Sequence, residues 1–97
     1  MTDFKELKAK LDAKGKELQK LYDDYSNREY ELSREYVIKA KNETVTNDEL
    51  TEIEDEIEYL CEEMDITNEK IDLITETLRL IHAVEENIID LETLQLI

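Results

Sequence analysis

Apolar residues recur from Phe4 onward at alternating spacings of three and four, through Phe4, Leu7, Leu11, Leu18, Leu21, Tyr25 and Leu32. Lys14 and Arg28 occupy the two intervening points of the same stripe. This is the seam of a heptad coiled coil with two polar interruptions. Thr2 is placed to cap its start and Asp3 suits the positive end of the helix dipole. A second and cleaner seam runs Leu50, Ile53, Ile57, Leu60, Met64, Thr67, Ile71, Ile74, Leu78 and Ile81 without a slip. The pattern therefore predicts one helix over about 2–41 and another over about 47–96, separated by a turn at about 42–46.

The turn has its own signature. Thr46 and Glu49 make a capping box, and Val45 and Leu50 stand at the positions of a hydrophobic staple. So short a connection favours antiparallel neighbours. Facing residues of an antiparallel hairpin have position numbers that add to a constant. Leu11 with Leu78, Leu18 with Ile71, Tyr25 with Met64, Leu32 with Ile57 and Tyr36 with Ile53 all add to 89. Leu7 with Ile81, Lys14 with Ile74, Leu21 with Thr67 and Arg28 with Leu60 add to 88, which centres the turn on Thr44. The expected fold is all-α: a single domain over 1–97, built as a long antiparallel two-helix coiled-coil hairpin with arms of roughly 60 Å. The alternative is a three-helix bundle broken near Thr67 and Asn68. No Gly or Pro marks such a break, and the seam passes through it unchanged.

Some apolar positions do not fit a bare hairpin. Tyr59, Ile66, Leu73 and Leu80 form a stripe at strict seven-residue spacing, off the main seam. Past Ile81 the rhythm shifts to Val84, Ile88 and Leu91, a stammer that rotates the seam. Phe4 already faces about Glu85, so the aliphatic end that includes Ile88, Ile89, Leu91, Leu94, Leu96 and Ile97 has no partner in the first helix. Self-association into a four-helix assembly is the simplest way to cover both sets.

Composition agrees with long helices and adds a charge pattern. The 97 residues include no proline and a single glycine, Gly15, and 40% of them are charged. Net charge is −15, from 12 Lys/Arg against 27 Asp/Glu. It is distributed unevenly: residues 1–41 hold ten basic and nine acidic side chains, residues 42–97 two and eighteen. The turn-proximal half, Asp23 to Asp65, carries sixteen acids and four bases. Ten carboxylates, Asp48, Glu49, Glu52, Glu54, Asp55, Glu56, Glu58, Glu62, Glu63 and Asp65, fall within eighteen residues with no base among them. That is about one charge per 2.7 Å of helix, against about one per 1.7 Å in duplex DNA. Like charges four residues apart, such as Glu54 and Glu58, weaken a helix by a few tenths of a kcal/mol each. Such a run reads either as a solvated face or as a surface for a basic partner.

Catalysis has little support. His82 is the only histidine and has no cysteine or serine mate at a recognisable spacing. Cys61 lacks a CxxC partner and reads as a small packing residue. No Glu-x-x-His pair or EF-hand glycine suggests a metal, and no glycine-rich loop suggests a nucleotide. The expectation is a non-enzymatic protein-binding module, an adaptor or oligomerising protein without cofactor. The alternative is an acidic nucleic-acid mimic, of viral or mobile-element origin, that blocks a DNA- or RNA-binding protein. Either way the expected partner is a protein with a basic surface, alongside a second copy of the chain, with no direct contact to nucleic acid or membrane. A cytoplasmic location, the host's if the protein is viral, is expected because one cysteine makes no internal disulfide and the first twenty residues contain no apolar run.

Overall fold

The computed structural model describes residues 4–95, and side chains as far as Asn87. Two helices account for nearly all of it: α1, Lys5–Ala40, and α2, Asn47–Gln95. They lie side by side as an antiparallel hairpin with overall extents of 81 × 17 × 15 Å. A 49-residue helix is about 74 Å long at 1.5 Å per residue, so α2 alone sets the length of the rod. No break occurs at Thr67 or Asn68, which rules out the three-helix alternative. The Thr67 hydroxyl, only 3% exposed, donates to the Glu63 carbonyl at 2.7 Å, so this polar side chain is satisfied within its own helix.

The turn is held by short-range polar groups. Asn42 uses its side chain as an Asx turn, its Oδ1 accepting from the Thr44 backbone N–H at 3.0 Å and from the Thr44 hydroxyl at 2.8 Å. The Asn42 N–H in turn donates to the Lys39 carbonyl at 2.9 Å, closing the end of α1. Thr46 Oγ1 accepts from the Glu49 N–H at 3.3 Å, the first half of the capping box, while Val45 and Leu50 are both half-buried. At the other end the residue before α1 is Phe4, which makes no side-chain cap; Thr2 and Asp3 lie outside the described residues.

The core is a line rather than a volume. Leu18, Leu32, Ile53, Leu60 and Ile81 are its buried apolar residues, with Leu32 the deepest at 2% exposed. Around Leu32 the cluster gathers Ile53 and Leu60, with Tyr25, Tyr36 and Ile57 packed against it. In heptad letters the deepest positions are d: Phe4, Leu11, Leu18, Tyr25 and Leu32 in α1, and Ile53, Leu60, Thr67, Ile74 and Ile81 in α2.

One detail of register differs from the sequence reading. The second seam position of α1 is taken by Lys8, Gly15, Tyr22, Glu29 and Tyr36, all half-buried. Leu7, Lys14, Leu21 and Arg28, expected there, sit one position earlier and are exposed. They are therefore at g, on the flank, and the half-buried set is at a. The physical reason is visible at Gly15. A Cβ built there would lie 3.6 Å from Ile74 Cγ2, so it is Gly15 and not Lys14 that meets Ile74 across the seam. Likewise Lys8 lays its stem along the seam and carries its ammonium out to Glu85 at 3.0 Å. Tyr22 and Tyr36 accordingly join Tyr25 on the packed face, whereas Tyr30 and Tyr59 are exposed.

Two substitutions test this packing. Gly15→Ala should raise stability by about 0.5–1 kcal/mol, because the added methyl meets Ile74 at ordinary contact distance while the unfolded chain loses freedom. Leu32→Ala should cost about 2–5 kcal/mol, the usual range for a core leucine. Denaturant titration followed by circular dichroism reads both; a Gly15→Ala variant less stable than the parent would place Lys14 back on the seam.

Candidate functional site

The lettering fixes which exposed residues share a side of the hairpin. Around a heptad helix the g position lies between d and c, and in an antiparallel pair g of one helix neighbours g of the other. Arg28 and Glu56, both at g, are joined across the helices at 3.3 Å, which marks this flank. A groove on the same flank is lined by Arg28, Glu35 and Lys39 from α1 and by Glu49, Glu52 and Glu56 from α2. Glu52 is a c residue, and seven-residue steps from it lead to Tyr59, Ile66, Leu73 and Leu80. These four are 45–67% exposed. Leu7, Leu21 and Val84, at g, are also exposed and border the same flank. One side of the rod thus bears a band of apolar side chains from Tyr59 to Val84, about 37 Å long at helical rise.

The opposite flank, formed by the e positions, is polar. Ser26 and Ser33 from α1 face it with Glu54, Cys61, Asn68, Thr75 and His82 from α2. Cys61 is a free, exposed thiol and not the packing residue its isolation suggested. His82 is 3.0 Å from Glu86 on the helix surface. Sequence reasoning missed a third apolar group on the outer face of α1: Tyr30, Val37 and Ile38, with the Arg34 guanidinium 6.0 Å from the Tyr30 ring centre. Its only signal was the four- and seven-residue spacing from Tyr30 to Arg34 and Val37.

The ten carboxylates of α2 divide by face. Glu54 accepts a 2.6 Å hydrogen bond from the Tyr36 hydroxyl, and this bond raises the phenol's pKa above its ordinary value. Glu56 is paired with Arg28. Glu49 and Glu52 lie close enough to Lys39 to add to the upward shift that its bond to Glu35, at 2.9 Å, already gives it. Glu63 is half-buried; burial first, and then its charge, raises the Tyr25 pKa. Asp48, Asp55, Glu58, Glu62 and Asp65 remain, exposed and with no hydrogen bond or ion pair to another side chain among the described residues. They occupy b and f, the outward face of α2 away from α1.

The lysines of α1 are compensated mostly within their own helix. Lys10 pairs with Glu6, Lys14 with Glu17 and Lys16 with Asp12, at 3.2–3.5 Å, and Lys8 alone of these reaches α2. Exposed pairs of this kind contribute roughly 0–1 kcal/mol each. Arg79 of α2 is paired with Glu76 in the same way.

Of the positions singled out for self-association, Tyr59, Ile66, Leu73 and Leu80 are brought together on the apolar flank. The side chains of Ile88, Ile89, Leu91, Leu94, Leu96 and Ile97 lie outside the described part of the structure. Among the described residues, no helix is long and apolar enough to cross a membrane, and no three His, Cys, Asp or Glu side chains converge to hold a metal. Comparison of the chain with protein-family models, with curated proteins and with solved structures gives no match.

The Tyr36–Glu54 bond can be tested by titration. Its protonated form is the stabilised one, so the contribution is complete at neutral pH and is lost as pH rises through the phenol's folded pKa. Glu54→Gln should move this ionisation to lower pH, measured as phenolate absorbance against a Tyr36→Phe reference. An unchanged titration would mean that the bond does not form in solution.

Proposed function

We propose that this protein is a non-enzymatic coiled-coil interaction module, an adaptor or oligomerising hairpin. It joins a second copy through the apolar flank and presents its acidic half to a partner protein with a basic surface. The observation that carries this reading is the gathering of Tyr59, Ile66, Leu73 and Leu80 beside Leu7 and Leu21 on one side of the rod. Exposed apolar residues scattered singly need no explanation, but four that repeat every seven residues along one side of a rod read as an interaction surface.

A second reading is favoured by a different observation. Asp48, Asp55, Glu58, Glu62 and Asp65 point outward and have no side-chain partner among the described residues, and with the other five carboxylates of residues 48–65 they give about one charge per 2.7 Å of helix, of the order of duplex DNA. A rigid helix so charged would suit a groove built for phosphates, and the protein would act as a mimic that blocks a DNA- or RNA-binding protein. In that role its affinity comes from charge, whereas an adaptor's comes from apolar contact.

Charge reversal separates the two. Replacing Asp55, Glu58, Glu62 and Asp65 with lysine changes the net charge by about eight units and leaves the seam intact; it turns the repulsive pairs 54/58 and 65/69 into attractive ones and leaves 58/62 a like-charge pair. The fold should survive, as circular dichroism would show. Under mimicry, binding to nucleic-acid-binding proteins should weaken by orders of magnitude with rising salt and collapse in the reversed variant. For an adaptor the loss should be a few-fold and mostly in association rate. A folded variant that binds as tightly as the parent at both low and high salt would end the mimicry reading.

A further inference from the structure

We infer that the second copy docks on the apolar flank in antiparallel orientation, with α2 lying on α2 and the two turns at opposite ends of a longer rod. This rests on the self-association reading above and adds its geometry. Two hairpins can stack the same flank face to face about a two-fold axis in only two ways. With the axis along the rod, the copies are parallel and the α2 of each lies on the α1 of the other. The stripe of Tyr59, Ile66, Leu73 and Leu80 would then rest on the α1 side of the flank, where the exposed charges of Lys14, Glu17, Asp24 and Arg28 outnumber the two leucines, Leu7 and Leu21. With the axis across the rod, α2 lies on α2 in the opposite direction, and the stripe meets itself. Tyr59 then faces Leu80, and Ile66 faces Leu73, on both sides of an axis between Glu69 and Lys70.

Charge chooses the same arrangement independently. The sixteen acids and four bases between Asp23 and Asp65 place −12 of the total −15 at the turn end and leave −3 at the open end. Parallel stacking sets −12 against −12. Antiparallel stacking sets each −12 end against a −3 end, where the lysines of α1 lie. Burial of the stripe and relief of repulsion thus both favour copies that run in opposite directions.

The test uses the full chain with Cys61→Ser and a nitroxide on Glu43→Cys, an exposed turn residue. Sedimentation should give a dimer, and pulsed dipolar spectroscopy a label separation of about 75 Å, twice the distance from axis to turn at helical rise. In a dimer with its labels within about 20 Å, the copies would be parallel: the inference would be overturned, and self-association would stand. A monomer at the concentration of the measurement would overturn both. Ile66→Asp combined with Leu73→Asp should sediment as a monomer of unchanged helicity; a double variant that stays dimeric would place the contact on another face.

Discussion

The structure depends on a single line of contact between two helices. A globular domain surrounds its core with several layers, but a hairpin has only one seam, and each seam residue is covered from one direction. Hence only the d positions reach full burial, at Leu18 and Leu32 in α1 and at Ile53, Leu60 and Ile81 in α2. Length compensates for thinness: each heptad adds another layer of the same kind. The same constraint explains the tolerance of Lys8, Gly15 and Glu29 at the a positions, where a side chain needs only its stem, or no stem at all, to close the seam.

A one-seam molecule leaves most of its surface free to carry something else. Here that surface is divided by face: the g and c flank is charged near the turn and carries the apolar stripe from Tyr59 to Leu80, the e flank is polar, and the outer face of α2 is acidic. Because α2 has only two basic residues, the ten carboxylates of residues 48–65 find few partners, and those directly bonded are on the sides nearest α1: Glu56 with Arg28 and Glu54 with Tyr36. The outermost five are left to solvent or to another molecule.

Much of this was legible in the sequence. The α2 seam is periodic over ten positions, and the turn is written in Thr46 and Glu49, so the hairpin followed from spacing alone. The assignment of Leu7 and Leu21 to the seam did not hold, for a physical reason. In α1 the a and g positions are adjacent, and the leucines Leu7 and Leu21 stand at g while a holds Lys8, Gly15 and Glu29 beside two tyrosines, Tyr22 and Tyr36. A reading by hydrophobicity picks g. Only the approach of a backbone, as at Gly15, reveals a, and no property of the single letter shows it. The patch at Tyr30, Val37 and Ile38 was missed for the complementary reason: it belongs to no seam, so no periodicity extends it. The apolar stripe on α2 was legible because its members repeat every seven residues.

The position of the turn also orders assembly in time. Contacts between arms join residues whose separation along the chain grows steadily with distance from Thr44, from 17 residues for Tyr36 and Ile53 to 67 for Leu11 and Leu78. Closure entropy rises with that separation, so the layers next to the capped turn are the least costly to join, and each one formed shortens the effective loop for the next. Closure is least costly from the turn end. That end holds both its deepest core, at Leu32, Ile53 and Leu60, and its densest negative charge. The first layers to form must therefore gather repelling carboxylates, and the firmest packing in the rod lies where the helices have the strongest electrostatic reason to separate.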